Sequence, residues 1–472
     1  MIWALIQTIG RQSVTLVVFL LLAAILSPED FGVLAMVMTW IGVMQAFSEM
    51  GFGSAIIQRK DIDDGHLSTT FYINVVSGGI FSLLGVALAG PCAYFFKTPK
   101  VQPIMAVASF GFLINSFSLT QLALATRELR FKDIAYRDMS AGIVGGAVGI
   151  IAALMGMGVW SLILQYLTTS LAGTLLLWRI SSWRPSWGKV SFDKIGEIWP
   201  YSSKIFAFNL LKYFTQNLDK IIIGHFLGSI PLGIYTFAYR VTITPISLLA
   251  GAVGNYMFPK FSRQQDKIGN IKSYYLFVSK FGNTAFAPLV VVGAMIAPLL
   301  VSLFWGDKWA PAVPVIRVLA IFAILIPLIS YVGQLMKALN RIKWLIYWTI
   351  FVTALIAVFI LLGARWGIVW ASAGLSMAYV VSLPVNFLIL NRLIRVDISD
   401  LLSSVSPSFP LAVLCGGILY LFSLTKAWNV VWGLLFSTFI LGGYAVGVYR
   451  ADAEFVTKSW TLVRDKLKAL RG

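Results

Sequence analysis

Charge is scarce in this chain. Only 12% of its 472 residues are Asp, Glu, Lys or Arg, against about a quarter in soluble proteins. Cysteine and histidine are scarcer still, with two of each. Cys92 and Cys415 lie in or beside separate apolar runs and form neither a disulfide framework nor a metal pattern. His66 and His225 have no metal-ligand company in sequence. Walker loops, nucleophile elbows and zinc-helix patterns are absent, which argues against the common catalytic classes. No hydrophilic stretch is long enough to bury a soluble core.

What the chain has is apolar length. It is 58% hydrophobic, with a mean hydropathy of +0.84. Apolar runs follow one another, each long enough to cross about 30 Å of hydrocarbon as a helix. The spans read 5–26, 31–57, 69–96, 103–125, 134–157, 160–180, 200–227, 231–258, 278–304, 310–337, 343–363, 367–391, 408–424 and 427–449. The fold class is therefore an all-α polytopic membrane protein with about fourteen transmembrane helices.

The first twelve spans form two copies of one unit. Leu26-Ser27-Pro28-Glu29-Asp30-Phe31-Gly32 returns as Leu227-Gly228-Ser229-Ile230-Pro231-Leu232-Gly233, between long apolar runs in both cases. Gly158-Val159-Trp160-Ser161 is echoed by Ile368-Val369-Trp370-Ala371, and Pro99 to Lys132 by Pro311 to Lys343. Duplication of this kind builds many transporters. It divides the chain into a first lobe at 1–183, a linker at 184–199, a second lobe at 200–395, two extra spans within 396–449 and a tail at 450–472. The repeat also makes the first apolar run part of the first unit rather than a cleaved signal peptide. The tail places Phe455, Val456, Trp460 and Val463 near one helical face with basic residues elsewhere. It reads as an amphipathic helix lying on the inner membrane surface among lipid headgroups.

The basic residues set the expected orientation. With the N-terminus inside, 26 of the 37 Lys and Arg fall in inward connections and the tail, and five in outward ones. That asymmetry places both termini in the cytoplasm. It also accounts for most of the +18 net charge without a nucleic-acid partner.

Six cations remain inside the spans: Arg11, Lys204, Lys212, Lys220, Arg240 and Arg317. Arg240 is roughly 13 Å along its span and Lys212 roughly 18 Å along the preceding one, by helical rise. A cation so deep costs about 2.5–3.5 kcal/mol on insertion scales and belongs in a wet cavity. Lys204 is close enough to an interface to snorkel. Internal acids are fewer, Glu49 and Asp219 being the two read from the spans. The cavity is then net positive and suits an anion. A guanidinium fork matches phosphate oxygens, and a lysine adds a point charge. The candidate substrate-binding residues are Arg11, Lys212, Arg240 and Arg317, and the alternative is that they pair with Glu49, Asp219 or helix carbonyls to lock helices together. Proline inside Pro245, Pro288, Pro298, Pro327 and Pro384 of the second unit, and the pairs Gly78-Gly79 and Gly145-Gly146 in the first, suit bending and close helix approach.

Several segments resemble a known family: "LLLAAILSPEDFGVLAMV" at 20–37, "GFGSAIIQRKD" at 51–61, "RELRFK" at 127–132, "NLDKIIIGHFLG" at 217–228, "LGIYTFAYR" at 232–240, "MFPKFSRQQ" at 257–265 and "FWGDKWAPAVPVIRVLA" at 304–320. Over nearly all its length the chain is similar to the polysaccharide transporter family. These are the Wzx-type oligosaccharide flippases, in the branch of colanic acid and exopolysaccharide exporters. The resemblance implies the multidrug/oligosaccharidyl-lipid/polysaccharide (MOP) fold, two six-helix lobes around a central cavity that opens to either side in turn. It implies an undecaprenyl-pyrophosphate-linked oligosaccharide as substrate, its polyprenyl tail staying in lipid, and the bacterial inner membrane as location. It also implies a polysaccharide polymerase and a chain-length regulator as partners. In the related lipid II flippases a Tyr-x-x-Ala-x-Arg-like pattern supplies a cavity arginine, matched here by Tyr235, Ala238 and Arg240. Unlike them, span 2 carries Glu49 and no arginine. No cofactor is expected. Glu49 and Asp219 are candidate sites for a coupling ion, sodium or a proton. The competing readings are a multidrug antiporter of the same fold, which would favour an acidic cavity, and a membrane polysaccharide polymerase or ligase, which the short outward connections disfavour.

Overall fold

The computed structural model describes residues 2–49, 52–59, 61–191, 210–211, 213–265, 267–425 and 429–469. Apart from two short 3-10 turns, the regular structure among these residues is helical. The elements are α1 (Ile2–Ile25), α2 (Pro28–Glu49), α3 (Phe52–Gln58), α4 (Asp64–Phe95), α5 (Val101–Ala108), α6 (Phe110–Arg127), α7 (Phe131–Leu154) and α8 (Val159–Ile180). After them come α9 over 213–227, then α10 (Ser229–Ser262), α11 (Ile268–Phe304), α12 (Ala312–Ala338), α13 (Ile342–Ala364) and α14 (Ile368–Ile394). The chain ends with α15 (Ile398–Val405), α16 (Ser408–Ser423), α17 (Val430–Ala451) and α18 (Ala453–Ala469). Eleven helical segments among the described residues are long and apolar enough to cross a membrane, or twelve if the bent pair α15–α16 is one span. The other two of the fourteen expected spans fall on α2 and on 200–227, which includes residues outside the described set. The chain divides into two compact units, Met1–Thr236 and Phe237–Gly472.

Over span 2 the described helices are α2 and α3, residues 50 and 51 lying outside the described set. Span 4 divides at Ser109, for a visible reason. The Ser82 hydroxyl of α4 donates to the Ser109 carbonyl (2.9 Å) and accepts from the Leu113 N–H (3.2 Å). It thereby inserts into the bond those two groups would share in an unbroken helix. In the other direction, α10 and α11 run to 34 and 37 residues, beyond the ends of spans 231–258 and 278–304, so Lys260 and Lys272 lie in helices. Pro91 also lies within α4, so helical proline is not confined to the second repeat.

The repeat is written in the backbone. Gly158 and Gly367 precede α8 and α14 with φ of +53° and +102°, a region open to glycine at little steric cost. Leu129 and Asn340, in the turns before α7 and α13, have φ of 57° and 54°. The first pair of repeated segments also meets in space within the first unit. A Cβ on Gly32 would lie 1.8 Å from the Ser229 carbonyl oxygen, and one on Gly233 would lie 1.8 Å from that of Pro28. The start of α2 and the first turns of α10 thus touch through their two repeated glycines, each against the other's backbone.

Within the first unit α7 packs on α1 and α8. Gly142 and Gly146 face Val14 and Val18 of α1, while Gly145 and Gly149 face Thr169 and Gln165 of α8. These small residues let the backbones approach where lipid gives no hydrophobic drive. In the second unit α11 packs against α12 and α16, and Ala287, Ala412, Cys415 and Tyr444 lie in a shared buried cluster.

Candidate functional site

Asp219 lies in α9 and is 5% exposed. Its Oδ2 accepts a hydrogen bond from the Tyr235 hydroxyl at 2.6 Å, and Tyr235 is fully buried in the first turns of α10. The other carboxylate oxygen, Oδ1, is buried and has no hydrogen-bond partner among the described residues. Six residues earlier, the Tyr213 hydroxyl donates to the Thr39 carbonyl of α2 at 2.7 Å, its ring lying where a side chain on Gly42 would be. The Lys220 ammonium donates to Asn217 Oδ1 at 2.8 Å. Thr215 donates to the Leu211 carbonyl at 2.9 Å. The site is thus a buried acid held by a phenol, with one oxygen left over.

A second polar node joins α1 and α7. The Gln7 amide donates to Asp138 Oδ2 (3.0 Å), and Arg137 donates to Asp138 Oδ1 (2.8 Å) and to the Gly173 carbonyl of α8 (3.1 Å). Asp138 is 8% exposed. It is not one of the two acids read from the spans, although its position inside span 5 is a signal for it. Paired this way, Arg137 and Asp138 are structural ties among three helices.

The remaining candidates fall as follows. Arg11 is exposed on α1, and its carbonyl accepts from Thr15 at 2.8 Å. Arg240 is half-buried in α10, and Arg317 is exposed on α12. Lys212 and the side chain of Glu49 lie outside the described residues. Arg11 and Asp219 belong to the first unit, Arg240 and Arg317 to the second. Among the described residues no group of three or more His, Cys, Asp and Glu gathers as a metal would require. His66 closes the capping box of α4 with Asp63, at 2.7 Å. His225 approaches the Phe95 carbonyl at 2.8 Å.

The profile of a family described as "Polysaccharide biosynthesis protein" matches residues 21–314, more than half of the chain. The chain belongs to this polysaccharide biosynthesis family. Similar relatives include the teichuronic acid biosynthesis protein TuaB of Bacillus subtilis (strain 168), 24% identical over 90% of this chain and 88% of that protein. Another is the succinoglycan biosynthesis transport protein ExoT of Rhizobium meliloti (strain 1021), 23% identical over 74% of this chain and 70% of that protein. The structure is similar to the lipid II flippase MurJ in an inward closed conformation. The TM-score is 0.75 at 14% identity, covering 96% of this chain and 99% of that one. An inward-facing multidrug resistance MATE family transporter of the MOP superfamily follows with a TM-score of 0.61 at 14% identity, over 89% of this chain and 100% of that one. The fold of this polysaccharide biosynthesis protein is that of the MOP superfamily, as the sequence resemblance implied.

Proposed function

We propose that the protein is a flippase that carries undecaprenyl-pyrophosphate-linked oligosaccharide repeat units across the bacterial inner membrane, for exopolysaccharide or lipopolysaccharide assembly. Its family, a transport protein among its relatives and the MOP fold support the class. The observation that carries the chemistry is Arg240, a guanidinium eleven residues into a 34-residue candidate membrane span. A charge at that depth is costly unless it serves an anion or a pair, and its planar fork fits pyrophosphate oxygens. Arg317, on α12 of the same unit, is the second cation. Arg11 and Lys212, in the first unit, are further candidate substrate-binding cations.

The protein works by alternating access, with both termini in the cytoplasm, and makes or breaks no bond in the cargo. A polysaccharide polymerase and a chain-length regulator act on what it delivers. Asp219 is the coupling site: its unpartnered oxygen beside the Tyr235 phenol receives a proton or a sodium ion, and Glu49 is the second candidate. Native mass spectrometry of the purified protein tests the substrate class. It should retain undecaprenyl-pyrophosphate-linked oligosaccharide and release a lipophilic cationic dye; the opposite pattern would establish the drug-antiporter reading instead.

A further inference from the structure

Two amphipathic helices of the second unit, α15 and α18, are each held by a lysine of α11. Lys272 pairs with Asp400 in the first turn of α15, and Asp397 at the N-cap lies 3.9 Å from the same ammonium. Lys280, about two turns further along α11, pairs with Asp452. That carboxylate also caps the start of α18, accepting from the Phe455 N–H at 3.1 Å. Phe455 then packs on Phe277 at 5.5 Å, and Val456 on the buried cluster that contains Ala412 and Tyr444.

Both helices also carry apolar side chains that the unit does not cover. Ile398 and Leu402, one turn apart on α15, are 62% and 65% exposed. Trp460, one turn past Val456 on α18, is 67% exposed, so the apolar stripe runs off the edge of the unit. Exposed cations flank these edges: Arg392 and Arg395 before α15, Lys458 and Arg464 on α18. The neighbouring helices set the depth. α15 meets the apolar helix α16 at a bend of 44°, and α18 begins two residues after the candidate span α17 ends. A helix that holds carboxylates at such a bend belongs along the membrane surface rather than in hydrocarbon. Two edges this small fall short of a protein–protein interface. Leucine, isoleucine and tryptophan bordered by cations match the headgroup boundary of an anionic leaflet.

We propose that α15 and α18 together form an interfacial foot of the second unit, which binds anionic phospholipid and holds α11 at a fixed height in the bilayer through Lys272 and Lys280. The partner is the bilayer itself, so the foot is independent of which cargo the protein carries.

Hydrogen exchange of the full-length protein in phosphatidylcholine nanodiscs, with and without phosphatidylglycerol, tests this. With phosphatidylglycerol the amides of 398–405 and 456–464 should exchange at least about fivefold more slowly, the factor that one surface cation contributes. Those of α12 should not change. High salt should erase the difference. Arg392→Gln combined with Arg395→Gln should erase it at 398–405 and leave it at 456–464, while Leu402→Ser should speed exchange at 398–405 in both lipids. Equal exchange with and without phosphatidylglycerol would overturn the proposal. So would the same slowing produced by inorganic phosphate in phosphatidylcholine nanodiscs, because the ligand would then be a free anion. A slowing shared by α12 would also overturn it, since lipid charge would then act on the whole unit rather than on the foot.

Discussion

Arg240 and Asp219 divide the chemistry at the residue scale, one assigned to the cargo and the other to the driving ion. Arg240→Ala should weaken pyrophosphate binding about 10- to 150-fold, the span of a charge-assisted hydrogen bond of about 1.5–3 kcal/mol. Arg240→Lys should recover part of it, because the charge stays and the bidentate fork is lost. Calorimetric titration of the two variants at equal folded fraction checks both statements. Asp219 calls for a different readout, since it accepts from the Tyr235 phenol at 2.6 Å and its second oxygen has no hydrogen-bond partner among the described residues. Asp219→Asn should uncouple transport from the ion gradient while leaving undecaprenyl pyrophosphate binding intact. Transport that stays gradient-driven in this variant, or stability and binding lost together, would make the Asp219–Tyr235 bond a structural tie. The sequence offered Asp219 by depth alone. Its partner is sixteen residues away in the next helix, a contact that only the turn at Gly228 creates, so no local pattern announces it.

At the scale of elements, the contact between repeated glycines is the sharpest feature. Gly32→Ala sets a methyl 1.8 Å from a carbonyl oxygen, so the start of α2 and the first turns of α10 must part. Thermal unfolding in detergent should show a loss of at least about 1–3 kcal/mol, the usual cost of overpacking. Gly79→Ala, with nothing within 4 Å of its added carbon, should change nothing. The tail makes a second case. Lys280 of α11 donates to Asp452, just before α18, and holds that carboxyl below its ordinary value. Phe455 packs on Phe277 at 5.5 Å and Lys458 lies 5.7 Å over the same ring. A depressed carboxylate stabilises docking above its unfolded pKa of about 4, and the contribution disappears as pH falls through the lower, folded value. Proteolysis of α18 should therefore be unchanged across neutral pH and rise only in acid, whereas Asp452→Asn should raise it at pH 7. Apolar run length located these helices because hydrocarbon thickness is a strict ruler. It missed the break at Ser109 because the cause, Ser82, sits on another helix. It also missed the far ends of α10 and α11, where polar residues continue a helix beyond the lipid.

At the scale of the whole molecule the fold is the MOP fold, and the two glycines that the sequence repeat pairs, Gly32 and Gly233, lie in contacting segments. Overall architecture was legible because repeats and apolar spans are one-dimensional signals. The candidate site was legible only as a set of deep charges, since pairing is decided in three dimensions: Arg137 and Asp138 turned out to be tied to each other, and Arg11 and Arg317 to be exposed. The central claim is movement of a lipid-linked oligosaccharide from one leaflet to the other. It is tested most directly in proteoliposomes carrying a fluorescent undecaprenyl-pyrophosphate oligosaccharide, with the fraction reaching the opposite leaflet read by an impermeant quencher. The wild-type protein should translocate the lipid well above protein-free vesicles, and Arg240→Ala vesicles should stay near that baseline. A wild-type rate equal to that of protein-free vesicles, with an ion gradient of either kind imposed, would contradict the account.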